Sequence, residues 1–393
     1  MSKIMILVHT YYPDQNGVQA VTQYVAEGLA KNNQVIVVTA KKKKYPVQEV
    51  YQNVDIRRIE IYGRKHYLFD GDKETYYRLI SENRPDILIV VCTQIWTFDW
   101  IAPVIDKLDC KKILYTHGYS QYKEKYNIAS YLIKGKFRTA MNALFYKWYY
   151  NNAHKIIRKF DLVTYLAETD PSYQYAQKWN LKNGKILGNA VEEGFWDYNY
   201  CMDESNFIHE KDIKFLNVAT YCERKNQELL LEAFYETDIQ KKELILIGSA
   251  CNEYCKKLID RKKELDAIYG EQKVQILWGM EREEVIQMYR NVDAFVMTST
   301  WEGYPICLCE AAASGIPIIS TDVGNVKEFD GAILVQDKEE LISQMEKIAL
   351  SPEQRRYNGK QLRQYAEANC RASDKVRWLQ KEINILLSNM EVV

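Results

Sequence analysis

Two glutamates, Glu302 and Glu310, bracket a stretch of mostly apolar or small residues, "WEGYPICLCE". Gly303 and Pro305 favour a turn there, and the apolar run that follows predicts a helix from about Ile306. The first turn of such a helix presents backbone N–H groups to an anion, while carboxylates accept hydrogen bonds from hydroxyl groups. The pattern therefore suits a ligand that carries both phosphate and hydroxyl groups, as a nucleotide sugar does. On spacing alone, acids that only stabilise a helix N-terminus are an equal alternative.

Three further segments place polar residues where predicted strands end. Arg224 and Lys225 follow the strand that ends near Thr220 in "LNVATYCERKNQELLLEAF", where cations could neutralise a diphosphate leaving group. Solvent-exposed cations are the ordinary alternative. His117 follows the strand in "ILYTHGYS", although a lone histidine is more often structural than catalytic. Gly17 opens a helix after the first strand, where free N–H groups again suit an anion.

These residues are carried by short apolar runs that alternate with longer amphipathic stretches. Continuous apolarity indicates strands covered on both faces, hence parallel sheets wrapped by helices. The runs are "IMILVHT", "QVIVVTA", "DILIVVC", "KKILYTHG" and "LVTYLAE", then "KFLNVAT", "ELILIGS", "VQILWG", "DAFVMTS" and "PIISTD".

Two such series of βαβ units predict an α/β chain with two doubly wound, Rossmann-like domains. We place them at residues 1–200 and 201–371, with the linker near 190–212. Residues 372–393 are predicted to form a helix that packs back toward the first domain. Ligands of open α/β sheets bind beyond the carboxyl ends of the strands, so we expect the site in a cleft between the domains.

Composition places the chain among ordinary globular proteins. Its 393 residues are 47% hydrophobic and 27% charged, and the chain is too long for one core. The first apolar run follows Met1–Lys3 without a signal-peptide cleavage site, and no apolar run approaches the roughly 20 residues that span a bilayer. Nine scattered cysteines show neither metal-ligand nor disulfide spacing, which favours reduced thiols and a cytoplasmic location.

The net charge of zero is unevenly distributed. Residues 1–200 carry 28 Lys/Arg and 20 Asp/Glu, a net of 28 − 20 = +8, so the rest of the chain carries −8. Residues 121–160 hold nine Lys/Arg against one acid, with many aromatic residues. Such a stretch predicts contact with an anionic membrane, on the inner face of the cell membrane. A solvated basic helix pair is the alternative, and no nucleic-acid-binding motif accompanies the stretch. The basic residues expected at the membrane are Lys134, Lys136, Arg138 and Lys147.

The segment "STWEGYPICLCEAAASGIPIISTDVGNVKE" resembles the E-x7-E signature of the retaining glycosyltransferases of family 4, which have the GT-B fold. The resemblance extends upstream through "MYRNVDAFVMTST". It implies that Glu302 contacts the hydroxyls of the donor sugar and Glu310 the ribose hydroxyls, while backbone amides between them hold the distal phosphate. The residues it assigns to catalysis are His117, Glu302 and Lys225. The residues it assigns to donor binding are Gly17, Lys225, Gly279, Met280, Glu302, Gly303, Tyr304, Pro305, Ile306, Cys307 and Glu310, and we expect Arg224 to contact the donor as well.

Three positions depart from the family pattern. The family has an arginine where Thr220 stands, so half of its diphosphate clamp is replaced, and Arg224 is the neighbouring cation that could compensate. Asn16 replaces the first glycine of the loop before Gly17. Ala190 replaces the glycine of an Asn-Gly-Val segment that ends the first domain.

The resemblance implies a metal-independent, retaining glycosyltransferase without a bound cofactor. We expect it to move a sugar from a nucleotide-diphosphate donor to a glycan or polyprenyl-linked glycolipid acceptor in surface polysaccharide biosynthesis. The alternatives are a nucleotide-sugar epimerase or sugar-phosphate synthase on the same fold, and a catalytically silent binding subunit. A Rossmann dehydrogenase is disfavoured because no G-x-G-x-x-G follows the first strand.

Overall fold

Continuous apolar runs form buried parallel strands in two separate parts of the chain. The computed structural model describes residues 1–14, 16–63, 69–119, 121–203 and 212–389. Met1–Gly188 and Ser373–Val393 form one unit, and Asn189–Ala372 forms the other. Residues 204–211 of the predicted linker and 390–393 of the predicted C-terminal segment lie outside the described residues.

In the first unit, strands alternate with helices. The described strands are β1 (Lys3–Leu7), β2 (Gln34–Ala40), β3 (Gln48–Tyr51), β4 (Val54–Ile59), β5 (Ile61–Tyr62), β6 (Asp70–Gly71), β7 (Ile87–Val91), β8 (Lys111–Tyr115), β9 (Leu162–Tyr165) and β10 (Gly184–Ile186). The described helices are α1 (Gly17–Ala30), α2 (Lys73–Asn83), α3 (Trp96–Asp99), α4 (Ile128–Ile133), α5 (Phe137–Ile157) and α6 (Pro171–Lys178).

The main sheet of this unit has the order β10-β9-β8-β7-β1-β2-β4-β3 within the described residues. All neighbours are parallel except β3, which pairs antiparallel with β4 at the edge. In the centre, Ile4 lies opposite Val35 on one side and Ile87 on the other. Burial of these side chains on both faces explains why the central runs are continuously apolar.

A cluster of tyrosines packs helix α5 against α6 and the segment that follows β8. The ring centroids of Tyr150 on α5 and Tyr175 on α6 lie 5.5 Å apart, and Tyr119 and Tyr122 each approach both rings within 5.5 Å. The Tyr175 hydroxyl donates to the Tyr150 carbonyl at 2.5 Å. Edge-to-face contacts of this kind fix the rotation of α5 about its axis.

The second unit repeats the pattern. Its described strands are β11 (Ile213–Val218), β12 (Lys242–Gly248), β13 (Lys273–Trp278), β14 (Ala294–Met297), β15 (Ile318–Thr321) and β16 (Ile333–Val335). Its described helices are α7 (Gln227–Glu236), α8 (Glu253–Tyr269), α9 (Arg282–Arg290), α10 (Ile306–Ala313), α11 (Lys338–Leu350) and α12 (Pro352–Asn369). The described strands form a parallel sheet in the order β13-β12-β11-β14-β15-β16, which brings the carboxyl ends of β11 and β14 side by side.

The last helix, α13 (Ala372–Ser388), belongs to the first unit from Ser373 onward. The Asn33 amide donates to Gln380 on α13 at 2.6 Å, and Lys185 pairs with Glu382 at 2.7 Å. At Gly28 on α1, an added Cβ would lie 2.7 Å from the Val376 side chain, so glycine permits this close packing.

The structure differs from the sequence prediction in two respects. The unit boundary lies at Gly188–Asn189 instead of residue 200, because Val191 pairs with Arg371 and the Tyr200 hydroxyl bonds to Asp293 inside the second unit. The prediction also missed six strands, since they are short or, like β4, alternate buried and half-buried residues instead of running apolar throughout. The missed strands are β3, β4, β5, β6, β10 and β16.

Candidate functional site

The two loops that follow β11 and β14 bring Glu302 together with Arg224 and Lys225. The Lys225 ammonium lies 2.6 Å from Oε1 of Glu302, and the Arg224 guanidinium lies 3.0 Å from Oε2. Glu302 is only 7% exposed, so its charge is compensated by two cations where water has little access. This contact explains how an acid is tolerated beside so much apolar chain.

Hydrogen bonds to backbone carbonyls connect the loop after β11 with the loop after β14. The Thr300 amide donates to the Arg224 carbonyl at 2.8 Å, and the Thr298 hydroxyl donates to the Asn226 carbonyl at 2.8 Å. Arg224 also donates to the Trp301 carbonyl at 2.8 Å, with its guanidinium 5.5 Å from the centre of that indole ring. Because β11 and β14 are neighbours, residues far apart in sequence meet at one edge of the sheet.

Glu310 is held by a different set of groups. On the first turn of α9, Arg282 donates to Oε1 of Glu310 at 2.6 Å, and the Tyr289 hydroxyl donates to Oε2 at 2.8 Å. Arg282 also pairs with Glu192 at 2.5 Å. Burial alone would lower the pKa of Arg282, but Glu310 and Glu192 outweigh it and hold that pKa above its ordinary value. Each glutamate of the motif therefore has its own cationic partners, Lys225 and Arg224 for Glu302 and Arg282 for Glu310.

The segment between the glutamates begins α10 without a side-chain cap. Pro305 occupies the N-cap position and supplies no side-chain hydrogen bond, so the amides of Ile306 and Cys307 lack an intrahelical carbonyl partner, while the Leu308 amide donates to the Pro305 carbonyl at 3.2 Å. The Tyr304 carbonyl accepts a hydrogen bond from the side-chain amide of Asn189 at 2.8 Å, which ties the loop to the segment around residue 189. Burial raises the pKa of the Cys307 thiol to about 12, so at neutral pH it is not a nucleophile.

A neighbouring glycine allows this loop to pack closely. Gly324 has φ +60°, and an added Cβ would lie 2.7 Å from the Gly303 carbonyl oxygen and 2.9 Å from that of Glu302. A side chain there would push the loop away, so Gly324 fixes the position of the Glu302 backbone.

Gly279 and Met280 follow β13 at the same carboxyl edge as the other two loops. Gly279 is exposed, has φ +68°, and donates its amide to the Gly248 carbonyl at 3.2 Å. Their predicted contact with a nucleobase stays a prediction.

The position that departs from the family pattern, Thr220, is exposed. Its carbonyl accepts from the Gln227 amide at 3.3 Å. The next residue, Tyr221, has its hydroxyl 2.9 Å from the Leu246 carbonyl and 2.7 Å from that of Leu277. The second cation that pairs with Glu302, next to Lys225, is therefore Arg224 and not a residue at position 220.

In the first unit, His117 and Gly17 follow β8 and β1 at the carboxyl edge of that sheet. The Nε2 atom of His117 is buried and has no hydrogen-bond partner among the described residues. Burial lowers the pKa of His117 to about 4, so the imidazole is neutral at pH 7. Asn16 caps α1 by accepting from the Gln19 amide at 3.0 Å, so one of the N–H groups beside Gly17 is already occupied. Convergence of these residues with the second unit stays a prediction.

Sequence reasoning missed several polar groups. Arg282 and Tyr289 lie seven residues apart on one face of α9, a spacing that gave no signal without knowledge of the partner Glu310. In the first unit, the Trp96 indole donates to His9 at 2.8 Å, and the Tyr149 hydroxyl donates to Asp99 at 3.0 Å. Within the described part of the chain, no three His, Cys, Asp or Glu side chains group as metal ligands would.

Helices α4 and α5 expose apolar and basic side chains together. Lys134, Lys136, Arg138 and Lys147 are all exposed. We use the name α5 strip for the exposed apolar residues Phe137, Met141, Leu144 and Trp148, of which Phe137 is 66% exposed and Trp148 63%. None of the described helices combines the length and the apolarity needed to cross a bilayer.

Two family models match the chain. "Glycosyltransferase Family 4" matches residues 15–157, and "Glycosyl transferases group 1" matches residues 202–365. The first range contains Gly17 and His117, and the second contains both glutamates of the motif with Lys225.

One curated relative is similar over most of its length. The amylovoran biosynthesis glycosyltransferase AmsD of Erwinia amylovora is 21% identical over 362 residues, which cover 91% of this chain and 93% of AmsD. Other alignments are shorter. The chain spans 38% of the length of a 41.2 kDa protein from the cps region of Klebsiella pneumoniae, at 25% identity over 148 residues or 37% of this chain.

Solved structures resemble the chain from end to end. Sucrose-phosphate synthase from Thermosynechococcus elongatus has a TM-score of 0.74 at 15% identity, covering 99% of this chain and 100% of that one. HepE from Anabaena, in complex with UDP and glucose, has a TM-score of 0.72 at 12% identity, covering 98% and 100%. At such low identity the likeness concerns the fold alone.

Proposed function

The chain belongs to the family 4 glycosyltransferases with the GT-B fold, and on that premise we propose that it transfers a sugar from a nucleotide-diphosphate donor, with retention at the anomeric carbon. The acceptor is a hydroxyl group of a membrane-linked glycan or glycolipid. The step belongs to surface polysaccharide biosynthesis, and the relative AmsD, named as a glycosyltransferase of amylovoran biosynthesis, supports a role in biosynthesis of a glycan.

The observation that carries the proposal is the cluster of Lys225, Arg224 and Glu302 beside the uncapped start of α10. Two cations and first-turn amides suit the phosphates of the donor. As the bond from the anomeric carbon to the diphosphate oxygen breaks, these groups stabilise the negative charge that develops on the leaving group. Positive charge at the anomeric carbon is taken up by the acceptor oxygen, whose proton passes to the leaving phosphate.

The remaining residues position the donor. Both carboxylate oxygens of Glu302 form ion pairs, one with Lys225 and one with Arg224. Such a carboxylate suits a role in positioning the sugar better than a role as nucleophile. Glu310 retains lone pairs on both oxygens beyond those used by Arg282 and Tyr289, so it can still accept hydrogen bonds from ribose hydroxyls. Neutral His117 offers its unpartnered Nε2 as a polar contact for the sugar. No step in this scheme uses a metal ion, and activity that persists with a chelator would support that.

The acceptor side of the proposal rests on helices α4 and α5. Lys134 and Lys136 in the segment that joins α4 to α5, and Arg138 and Lys147 on α5, are exposed together with the α5 strip. Cations attract anionic headgroups, and apolar side chains enter the region beneath them. Contact with the inner face of a membrane would bring the enzyme to a lipid-linked acceptor.

The test begins with the nucleotide sugars. A thermal-shift panel of UDP-, GDP- and ADP-sugars identifies the donor, and transfer to extracted lipid-linked glycans is followed with that donor. Proton NMR of the product reports the anomeric configuration. We expect one donor to raise the unfolding temperature and the product to retain the donor's anomeric configuration. An inverted product, or no donor binding across the panel, would contradict the proposal.

Two other functions are separated by the same assays. A sugar-phosphate synthase is favoured by the likeness to sucrose-phosphate synthase, and it would transfer to a soluble sugar phosphate in preference to a glycolipid. A silent binding subunit is favoured by the departure at Thr220, and it would bind a donor without turning it over. The contacts of Lys225 and Arg224 with Glu302 favour the active enzyme.

A further inference from the structure

A cavity of about 370 Å³ lies in the first unit, on the flank where α5 meets α3. From α5 it is lined by Phe145, Trp148, Tyr149, Asn152, Ala153 and Ile156, which recur every three or four residues and so share one face of the helix. Phe98, Trp100 and Ala102 form the opposite wall, and Phe69 and Lys73 complete the lining. None of these residues belongs to the donor site described above.

The wall carries few polar groups. The Asp99 Oδ1 atom accepts from the Tyr149 hydroxyl at 3.0 Å, whereas Oδ2 is buried and has no hydrogen-bond partner among the described residues. Burial raises the pKa of Asp99 to about 6, although the hydrogen bond from Tyr149 lowers it. The Tyr149 hydroxyl also accepts from the Gln94 amide at 2.9 Å. Most of the lining is aromatic or aliphatic and therefore suits an apolar chain better than a sugar, and the volume is within the roughly 300–1,000 Å³ range of ligand sites.

The cavity is continuous with the exposed apolar surface of α5. Trp148 belongs both to its lining and to the α5 strip, which starts at Phe137, about 16 Å away along the helix axis. Lys147 precedes Trp148 and is exposed. Lys73 stands half-exposed at the lining, with its ammonium 5.4 Å from the centre of the Trp100 ring. Its partner Asp70 is 77% exposed, so this ion pair is weak in water and leaves the ammonium available to an anion.

We propose that this cavity holds part of the hydrocarbon chain of a phosphate-bearing lipid, with Lys73 and the basic residues of α4 and α5 facing the phosphate. The inference rests on the proposed transfer to a lipid-linked acceptor and adds the place where the chain of that lipid binds. The members of the α5 strip recur every three or four residues and so share one face of the helix, and the last of them, Trp148, lies in the lining of the cavity.

The test uses dodecyl phosphate with a terminal bromine, at concentrations below micelle formation. Bromine quenches indole fluorescence at short range, and Trp100 and Trp148 line the cavity. We expect saturable quenching in the wild-type protein, and a smaller quenched fraction in Trp148→Phe. The matched control is Trp278→Phe, which removes a 47%-exposed indole of the second unit and should leave the quenched amplitude unchanged.

A second variant fills the cavity. Ala102 is half-buried at the wall, so Ala102→Phe places a ring in the cavity and should weaken binding of the probe by about tenfold. Met141→Ser on the α5 strip, outside the lining, should change binding of this soluble probe by less than twofold. Inorganic phosphate should neither quench nor compete, because it lacks the chain.

Several results would overturn the inference. These are absence of quenching in the wild-type protein, equal quenching in Trp148→Phe and Trp278→Phe, or a larger loss in Met141→Ser than in Ala102→Phe. If Ala102→Phe does not fold, the two tryptophan variants still decide the matter. A protein that transfers sugar to an extracted lipid-linked glycan but does not bind the probe would lose this inference and keep the proposed transfer. A protein that binds the probe but transfers no sugar would keep this inference and lose the proposed transfer.

Discussion

The ammonium nitrogen of Lys225 lies 2.6 Å from Oε1 of Glu302, and Arg224 occupies the other oxygen of the same carboxylate. Without a donor, Glu302 therefore supplies the negative charge that these cations require. A diphosphate that binds them must compete with this carboxylate. The buried acid of the motif thus has an electrostatic effect on donor binding in addition to its predicted contact with the sugar.

This competition predicts opposite effects of Glu302 on binding and on transfer. Glu302→Gln keeps the shape but removes the negative charge, so both cations become available to phosphate. We expect the nucleoside diphosphate of the identified donor to bind about fivefold more tightly, equivalent to about 1 kcal/mol, while sugar transfer falls at least tenfold. Calorimetric titration with the diphosphate alone measures the first effect.

Lys225→Ala is the control for Glu302→Gln, because it removes a cation instead of an anion. It should weaken binding of the same diphosphate and cut turnover by at least tenfold with the fold intact. Weaker binding in both variants would show that Glu302 does not compete with the ligand.

Arg282 is predicted to act through Glu310. Arg282→Met leaves a carboxylate that is 3% exposed without its cation, which should destabilise the second unit by about 3 kcal/mol. Arg282→Lys retains the charge and should recover most of that stability. Arg282→Lys and Tyr289→Phe each alter a single hydrogen bond to Glu310. In both variants we expect the KM for the donor to rise several-fold with little change in kcat.

Glu310→Ala is the reference for these variants, since it removes the carboxylate itself and should cut turnover by at least tenfold. A fall in kcat at unchanged KM in Arg282→Lys and Tyr289→Phe would contradict the proposed role in orienting the ribose ligand.

His117 makes stability depend on pH. Its pKa is about 4 in the folded protein and 6.5 when unfolded, so the unfolded chain binds more protons between these values. Its contribution is complete above pH 6.5 and is lost as the pH falls toward 4, by about 3 kcal/mol in total. Urea unfolding at pH 7.5 and 4.5 measures this loss. His117→Gln cannot titrate and should lose less stability over that interval. An equal loss in the two proteins would contradict the assignment.

The basic residues of α4 and α5 predict salt-dependent membrane binding. Replacing Lys134, Lys136 and Arg138 with glutamine removes three exposed charges that would each contribute about 1 kcal/mol at an anionic surface. We expect binding to anionic vesicles to fall at least tenfold at low salt, and the difference to shrink as salt is added. Cosedimentation with vesicles measures it.

A matched control changes the same net charge in the second unit. Lys256, Lys263 and Lys273 are also exposed, and their replacement with glutamine should leave vesicle binding nearly unchanged. Equal losses in the two triple variants would mean that net charge, and not the α4–α5 surface, drives binding.

The amino-acid sequence by itself determined the strands of both sheet centres and the position of the glutamate motif. Continuous apolar runs can only be buried on both faces, and a glycine and a proline between a strand and a helix allow few backbone paths, so β14, α10 and Glu302 could be placed by local rules. The edge strands β3 and β16 escaped these rules because their burial is partial.

Only the tertiary structure decided which groups meet. Residues 224 and 302 are neighbours because β11 and β14 are adjacent in the sheet, and strand order is not encoded in the spacing of either motif. The same holds for Arg282 and Tyr289 on Glu310, and for the cavity between α3 and α5, since each requires elements distant in sequence to be packed together. Local patterns identify what a residue can do, and packing selects the partner with which it does it.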